Sequence, residues 1–270
     1  NRIMPQRFTA RALTPVLALI ATVSTASAAE TDITIGMQLE PPHLDPTSAA
    51  AGAIDNVVYS NIFEGLTRFM GDGSVVPSLA KSWDISDDGL SYTFHLQGDV
   101  RFHDGSAMDA ADVKFSLDRA RAEDSTNAQK ALFTGIADVA VIDPLTVVLT
   151  LEAPNGNLLF NLAWGDAVIV ASETIETIKS NPVGTGAFRF VKWVQGDRID
   201  LVRNGDYWGT APALEGATFK FISDPTAAFA AMMAEDIDAF QTFPAPENLP
   251  QFDADPRFKL LIGSTEGETI

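Results

Sequence analysis

Residues 79–117 read LAKSWDISDDGLSYTFHLQGDVRFHDGSAMDAADVKFSL, and apolar residues alternate with polar ones on both sides of one short turn. Trp83 and Ile85 alternate before the turn, and the apolar positions of residues 90–96 alternate after it. Such alternation is typical of strands with one buried face, and the dipeptide Asp88-Gly89 offers positive-φ residues for a tight turn. The stretch therefore predicts a β-hairpin with one buried face.

A capped helix is predicted after the hairpin, beyond a second turn at His103-Asp104-Gly105. Asp109 stands three residues before Asp112, which is the spacing of a weak capping box. The residues that follow place Val113, Leu117 and Ala120 on one helical stripe. Hairpin, turn and capped helix give a local structure but no function.

The identity and order of these residues carry more information than their periodicity. The stretch resembles the signature region of the family 5 extracellular solute-binding proteins, the peptide and nickel receptors of ABC importers. One departure from the family pattern is Gln97, where the family usually has a basic residue, and we interpret it as a surface change. The matching positions are Pro77, Leu79, Ala80, Ser82, Trp83, Asp88, Gly89, Tyr92, Thr93, Phe94, Leu96, Val100, Phe102, His103, Asp104, Gly105, Ala111, Asp112 and Val113.

The resemblance extends outward over nearly all of residues 31–270. It includes Leu44-Asp-Pro46, Phe63-Glu-Gly-Leu66, Pro182-Val-Gly-Thr-Gly186 and Asn204-Gly-Asp-Tyr-Trp208. Around these segments, periodicity predicts a first strand over residues 31–37, a helix over 54–63, a helix over 226–234 and a last strand over 258–262. The glycines at 184 and 186 lack the remaining residues of a phosphate-binding loop and indicate a tight backbone turn. The adjacent aromatics of the Tyr-Trp pair indicate packing in preference to a sugar or base platform.

The resemblance implies an α/β fold, a type II-like periplasmic binding protein lobe with a mixed sheet and an inserted α+β domain. The first lobe is expected to be discontinuous, over residues 29–64 and 181–265, with the inserted domain over residues 65–180. Residues 266–270 would be the crossover to a second ligand lobe, which is expected to be absent from this chain because family members are about twice as long.

The resemblance also implies a ligand cleft lined mainly by backbone groups. From the loop before the first helix, the implied lining residues are Ala51, Gly52 and Ala53; from later segments, they are Gln241, Thr242 and Phe243, and then Thr265, Glu266 and Glu268. Without the family, residues 51–53 would be interpreted as an ordinary loop that precedes a helix.

The N-terminal 28 residues have the composition of a secretory signal peptide. They contain three arginines and no acid, then an apolar run over residues 13–23, then Ala26-Ser-Ala28 as a small-residue cleavage site. The run is too short to span a bilayer and contains Pro15. The chain has no cysteine, so neither disulfides nor the lipid-anchored form of the family is available. We therefore expect a periplasmic protein.

The sequence gives little support for an enzyme or for a metal-binding protein. There is no Gly-x-Ser-x-Gly, no His-Glu-x-x-His and no cysteine nucleophile. The three histidines, His43, His95 and His103, are scattered, whereas a zinc site needs grouped ligands. We expect no catalytic residue, no metal and no cofactor.

The net charge of −18 argues against nucleic acid and anionic lipid as partners. The resemblance implies a receptor that binds short peptides and delivers them to the transmembrane permease subunits and cytoplasmic ATPase of an ABC importer, as a monomer when full length. A nickel chelate, an opine or a sugar is the alternative ligand, and a periplasmic hydrolase is the alternative activity.

Overall fold

The computed structural model describes residues 31–261 of the chain, which form a mixed α/β fold. The first strand pairs with strands that lie far along the chain, so the fold depends on pairing between strands that are distant in sequence. The strands are β1 (Asp32–Met37), β2 (Thr67–Phe69), β3 (Val75–Pro77), β4 (Ala80–Ile85), β5 (Ser91–Leu96), β6 (Ile136–Asp143), β7 (Thr146–Leu151), β8 (Phe188–Val194), β9 (Arg198–Arg203), β10 (Gly216–Phe221) and β11 (Ala239–Phe240).

Helices are short in the described part of the chain. The α-helices are α1 (Gly52–Val58), α2 (Ala110–Arg121), α3 (Leu158–Asn161), α4 (Pro225–Met233) and α5 (Leu249–Asp253). Short 3-10 helices cover Lys130–Leu132, Gly165–Ala167, Ser172–Thr177 and Pro246–Asn248. Over residues 31–261, no helix is both long enough and apolar enough to cross a membrane.

A five-stranded mixed sheet has the order β11-β1-β10-β9-β8. Strand β1 runs parallel to both β10 and β11, whereas β8, β9 and β10 pair in antiparallel fashion. Residues 32–37 and 188–203 therefore share one sheet although 150 residues separate them along the chain. The parallel pairs bring the carboxyl ends of β1, β10 and β11 to the same edge.

The hairpin of residues 80–96 forms two strands of a second sheet, with the order β4-β5-β7-β6. Tyr92, Phe94 and Leu96 are buried, as the alternation predicts. Ile85 is 48% exposed, so its predicted place on the buried face is wrong. It lies at the last pair of the β4–β5 ladder, where the chain leaves the sheet for the turn.

The turn of this hairpin also differs from the prediction in one residue. Gly89 has φ +68, but Asp88 is not among the positive-φ residues. Its carboxylate accepts hydrogen bonds from Ser86 Oγ at 2.6 Å and Leu90 N at 3.0 Å. The Gly89 N–H donates to the Ser86 carbonyl at 2.8 Å. A four-residue turn of this pattern needs only one left-handed residue, and glycine supplies it.

The capping box that opens α2 is confirmed. The Asp109 carboxylate accepts from Ala111 N at 2.7 Å, and the Asp112 carboxylate accepts from Asp109 N at 2.9 Å. Val113, Leu117 and Ala120 are buried, so the predicted stripe is the face that packs on the second sheet.

The described residues form two large hydrophobic cores. The chain passes from one core to the other at about residue 64. One contains α1, β1, β9 and β10, and the other contains β4 to β7 with α2. Val168, Val170 and Ile178 pack in the first of these cores although they precede residue 181. These two cores support the division into a discontinuous lobe and an inserted domain, which we retain as a proposal.

Two element predictions are corrected. The helix predicted over residues 54–63 ends at Val58, because Ser60 takes φ +57 and turns the chain so that Ile62 and Phe63 enter the core. The strand predicted over residues 258–262 is not formed by residues 258–261. There the Phe258 N–H donates to the Asp255 carbonyl at 3.0 Å in a turn, and its ring packs against Phe252.

The remaining expectations concern residues that the structure leaves undescribed. The predicted signal peptide over residues 1–28 and the implied cleft residues Thr265, Glu266 and Glu268 lie outside the described part of the chain.

Candidate functional site

The candidate site lies at the carboxyl edge of the five-stranded sheet. Ligands of open α/β sheets bind outside the carboxyl ends of the parallel strands. Strand β11 runs directly into Gln241 at this edge, and the chain that leaves β1 returns to it as α1. The first segment of the site is therefore residues 51–53, and the second is residues 241–243.

Residues 51–53 present backbone to their surroundings. Ala51 is the N-cap of α1, with an extended backbone and no side-chain cap. Ala51 and Ala53 pack partly against the core of the lobe, whereas Gly52 is exposed and a Cβ built on it would meet nothing within 4 Å. With such small side chains, this segment can offer a ligand mainly amide and carbonyl groups and open space.

Residues 241–243 differ from one another in exposure. Gln241 and Thr242 are exposed, and Phe243 is half-buried against Phe240 and Phe252, with ring centroids at 5.5 and 5.0 Å. Gln241 and Thr242 are thus available to solvent, and Phe243 anchors the segment to the small core beneath it.

A side-chain hydrogen bond joins the second segment to α1, the helix that begins at the first segment. Gln241 Nε2 donates to Asn56 Oδ1 at 2.9 Å, and both side chains are exposed. Asn56 lies one helical turn after Gly52 on α1. The structure therefore brings two of the three implied segments to one edge, and it adds Asn56, which sequence reasoning missed. A hydrogen bond between residues as distant as 56 and 241 produces no motif or periodicity that the sequence could show.

The loop that precedes α1 is fixed by buried polar contacts. Asp45 is fully buried and accepts from Thr47 N at 2.9 Å, and Arg119 Nη2 reaches its carboxylate at 3.3 Å. The Leu44 N–H donates to the Lys179 carbonyl at 2.9 Å. Burial, then the charge of Lys179, lowers the pKa of His43. The imidazole is thus kept neutral beside this loop at neutral pH.

A second polar cluster joins residue 64 to residues 185–208. The Glu64 carboxylate, which is 7% exposed, accepts from Tyr207 Oη at 2.7 Å, Thr185 Oγ1 at 2.8 Å and Trp208 Nε1 at 2.9 Å. Burial raises the pKa of Glu64, and these donors act in the opposite direction. The Tyr-Trp pair is therefore a packing element tied to Glu64, in agreement with the interpretation from sequence.

The backbone at residues 184–186 passes very close to residues 61–63. A Cβ on Gly184 would lie 2.0 Å from the Ile62 carbonyl oxygen, so only glycine fits there. His103 Nε2 lies 2.9 Å from the Gly186 carbonyl oxygen, and burial lowers the pKa of His103 to about 4. This supports the tight-turn interpretation of the Gly-Thr-Gly segment.

The histidines do not assemble a reactive centre in the described part of the chain. His95 pairs with Asp84 at 2.8 Å on an exposed strand face, and His103 is bound to backbone. Over residues 31–261, no group of three or more His, Cys, Asp or Glu side chains is arranged to hold a metal ion.

Known proteins share both the sequence and this architecture. Residues 74–269 match the family described as "Bacterial extracellular solute-binding proteins, family 5 Middle". The chain belongs to family 5 of the bacterial extracellular solute-binding proteins.

A curated relative of this solute-binding chain is the glutathione-binding protein GsiB of Pectobacterium atrosepticum. The two are 38% identical over 186 residues, which cover 67% of this chain and 36% of that protein. The solute-binding chain therefore matches well under half of the length of this relative.

Solved structures show the same fold. The protein AgaA of A. tumefaciens R10, in complex with agropinic acid, superposes with a TM-score of 0.79 at 29% identity, over 83% of this chain and 46% of that one. The periplasmic binding protein DppA of Helicobacter pylori, in complex with the peptide STSA, gives a TM-score of 0.77 at 26% identity, over 83% and 49% of the two chains. The fold class is thus confirmed as that of the type II-like periplasmic binding proteins, with a mixed sheet.

Proposed function

We propose that this chain is part of a periplasmic substrate-binding receptor of an ABC importer, which binds short peptides and passes them to the permease subunits and their cytoplasmic ATPase. The observation that supports the proposal is that Gln241, which follows β11 at the carboxyl edge of the five-stranded sheet, is hydrogen-bonded to Asn56 of α1 in a member of this family. A peptide-bound structure and a relative named for glutathione, itself a tripeptide, support this ligand class.

The chemistry of the edge suits a ligand whose side chains vary. Residues 51–53 offer backbone groups, and Gln241 and Asn56 offer amides that can both donate and accept. Recognition through main-chain hydrogen bonds holds an extended peptide while tolerating changes in its sequence. Thr265, Glu266 and Glu268 complete the proposed lining, in which neither a cofactor nor a catalytic residue takes part.

The proposed organisation follows from the same site. Residues 29–64 and 181–265 would form the first lobe, residues 65–180 the inserted domain and residues 266–270 the crossover to a second lobe. Residues 1–28 would direct export to the periplasm, where the receptor acts as a monomer.

An opine-like solute is the second candidate ligand, because the structure bound to agropinic acid superposes on this chain at least as well as the peptide-bound one. The experiment is a thermal-shift screen of the intact protein, followed by isothermal titration. The panel contains glutathione, di- to pentapeptides, agropinic acid and a nickel–histidine chelate. Stabilisation by peptides supports the proposal, and stabilisation by another solute alone refutes the peptide assignment. Release of free amino acids from the peptides would indicate a hydrolase.

The placement of the site has its own test, in which open glycines are replaced by a bulky residue. Gly52 and Gly135 both have room for a Cβ, but only Gly52 lies at the proposed edge. Gly52→Leu should weaken ligand binding about tenfold or more, or roughly 1.4 kcal/mol, while Gly135→Leu leaves it unchanged. Equal affinity of both variants would show that residues 51–53 do not line the cleft.

A further inference from the structure

Two buried carboxylates near α1 have oxygens without hydrogen-bond partners. Among the buried side-chain nitrogen and oxygen atoms of residues 31–261, those without a partner are Ser48 Oγ, Asp55 Oδ1 and Asp166 Oδ1. Asp166 is only 8% exposed. Buried polar atoms are almost always satisfied, and an unsatisfied one costs about 1–3 kcal/mol, more for a charged group. Two such oxygens on neighbouring acids require an explanation.

Asp55 of α1 and Asp166 of the 3-10 turn Gly165–Ala167 lie close enough for the charge of Asp55 to act on Asp166. Asp55 lies in the first turn of α1. A Cβ on Gly165 would lie 2.4 Å from Asp55 Oδ1, so this carboxylate rests on the backbone immediately before Asp166. The turn itself is fixed, because Asn127 Nδ2 donates to the Asp166 carbonyl at 2.9 Å. Both acids therefore lie at the contact between α1 and this turn.

The charged and titratable groups around the pair do not neutralise it. Asp45, from the loop before α1, adds a further negative charge near Asp166. Arg119 of α2 forms its ion pair with Asp45. Tyr59, just after α1, is neutral and lies close enough to Asp55 to feel its charge. Burial raises the pKa of Tyr59, and the positive charge of nearby Arg68 opposes this change. Among the ion pairs of the described chain, none includes Asp55 or Asp166.

Burial favours the neutral form of both acids more in the folded state than in the unfolded chain. Burial raises the pKa of Asp55 to about 6. Burial also raises the pKa of Asp166 to about 6, with repulsion from Asp55 and Asp45 acting in the same direction and backbone N–H groups opposing it. Because the folded state holds these protons more tightly than the unfolded chain, their stabilisation is complete below about pH 4 and is lost as the pH rises through about 6.

We propose that Asp55 and Asp166 form a proton-binding pair that fixes α1 on the 165–167 turn when protonated and loosens this contact when both acids ionise. A proton on one carboxyl satisfies both orphan oxygens, because the acid O–H donates to the neighbouring carboxylate directly or through one water. Since the N-terminus of α1 is residues 51–53, the pair links the acidity of the surroundings to the position of that segment.

The test compares thermal unfolding of the intact protein and its variants from about pH 4 to about pH 7. Asp166→Asn and Asp55→Asn keep the shape of the side chain and remain neutral at every pH. Asp138→Asn, on an exposed position of β6, is the matched control. We expect the melting temperature of the wild type to fall relative to Asp166→Asn as the pH rises, and Asp138→Asn to follow the wild type. Hydrogen exchange of residues 52–58, corrected for intrinsic rates, should become faster over the same range in the wild type and in Asp138→Asn, but not in Asp166→Asn.

Two results would overturn the proposal. If both asparagine variants run parallel to the wild type across the pH range, no proton is bound by the pair. If Ca²⁺ or Na⁺ at about pH 8 raises the melting temperature of the wild type but not of Asp166→Asn, the gap between the acids holds a metal ion and not a proton. If Asp166→Asn does not fold, Asp55→Asn and the carboxyl ¹³C titration of the wild type decide, and a carboxyl that titrates near the ordinary aspartate value refutes the pair.

Discussion

Replacement of Glu64 by alanine should destabilise the protein far more than replacement by glutamine. Glu64 Oε2 accepts from Thr185 Oγ1 and Trp208 Nε1, while Oε1 accepts from Tyr207 Oη. Alanine leaves all three donors without their acceptor. Glutamine can keep Oε1 towards Thr185 and Trp208, and its amide can donate to the Tyr207 oxygen, which reverses one hydrogen bond without breaking it.

The magnitude follows from the burial of each donor. Thr185 is fully buried, so its orphaned hydroxyl should cost about 2 kcal/mol. Tyr207 and Trp208 are half-buried and close to water, so together they should add only about 1–2 kcal/mol. Removal of a carboxylate whose pKa burial has raised offsets part of this loss. Glu64→Ala should therefore lose roughly 2–3 kcal/mol, and Glu64→Gln less than about 1 kcal/mol.

Urea unfolding of the intact protein, followed by tryptophan fluorescence, measures both losses. Tyr207→Phe provides the coupling, because its loss of about 1 kcal/mol should vanish in the Glu64→Ala background. Equal losses for alanine and glutamine would show that the charge, and not the hydrogen bonds, holds this junction. Additive losses for Glu64 and Tyr207 would refute the direct contact between them.

Three further predictions can be tested by the same unfolding assay. Gly184→Ala should cost about 3 kcal/mol because of its clash with the Ile62 carbonyl, whereas Gly98→Ala, which has open space, should be nearly neutral. Asp109→Ala should cost about 1 kcal/mol through loss of the capping box, and a loss near zero would show that the cap is dispensable. The pKa of His103 falls to about 4 in the folded state, so its contribution to stability is lost as the pH falls from about 6.5 to about 4. His103→Gln should remove up to roughly 3 kcal/mol of that acid sensitivity, and an unchanged acid limb would contradict a neutral buried imidazole.

The elements that the sequence predicts well are those whose information is local. The capping box needs only the spacing of Asp109 and Asp112, and α2 follows with its predicted buried stripe. The strands of the hairpin need only the alternation of residues 90–96. Predictions fail where a neighbour outside the local pattern decides. Ile85 is exposed because it ends its ladder, and α1 stops at Val58 because Ser60 turns the chain towards the core.

The site is predicted less completely, because its contacts join distant positions. The pairing of Asn56 with Gln241 spans 185 residues, and no periodicity or spacing records it. The proximity of Asp55 to Gly165 is of the same kind, since it depends on how α1 packs on a turn more than 100 residues later. Residues 51–53 and 241–243 entered the prediction only through the family resemblance, and their role as a cleft stays a prediction.

The residues that carry the family resemblance hold the backbone together, and this limits what they say about the ligand. Thr185 and Trp208 both donate to Glu64, and His103 is bound to the Gly186 carbonyl. These contacts join residues 64 and 103 to residues 185–208, so any ligand that requires this architecture requires the same residues. Differences between a peptide receptor and an opine receptor must therefore arise at other positions. In this chain they should arise at exposed side chains on the carboxyl edge of the sheet, and substitutions at Gln241 should change which ligand is bound while leaving the junction around Glu64 intact.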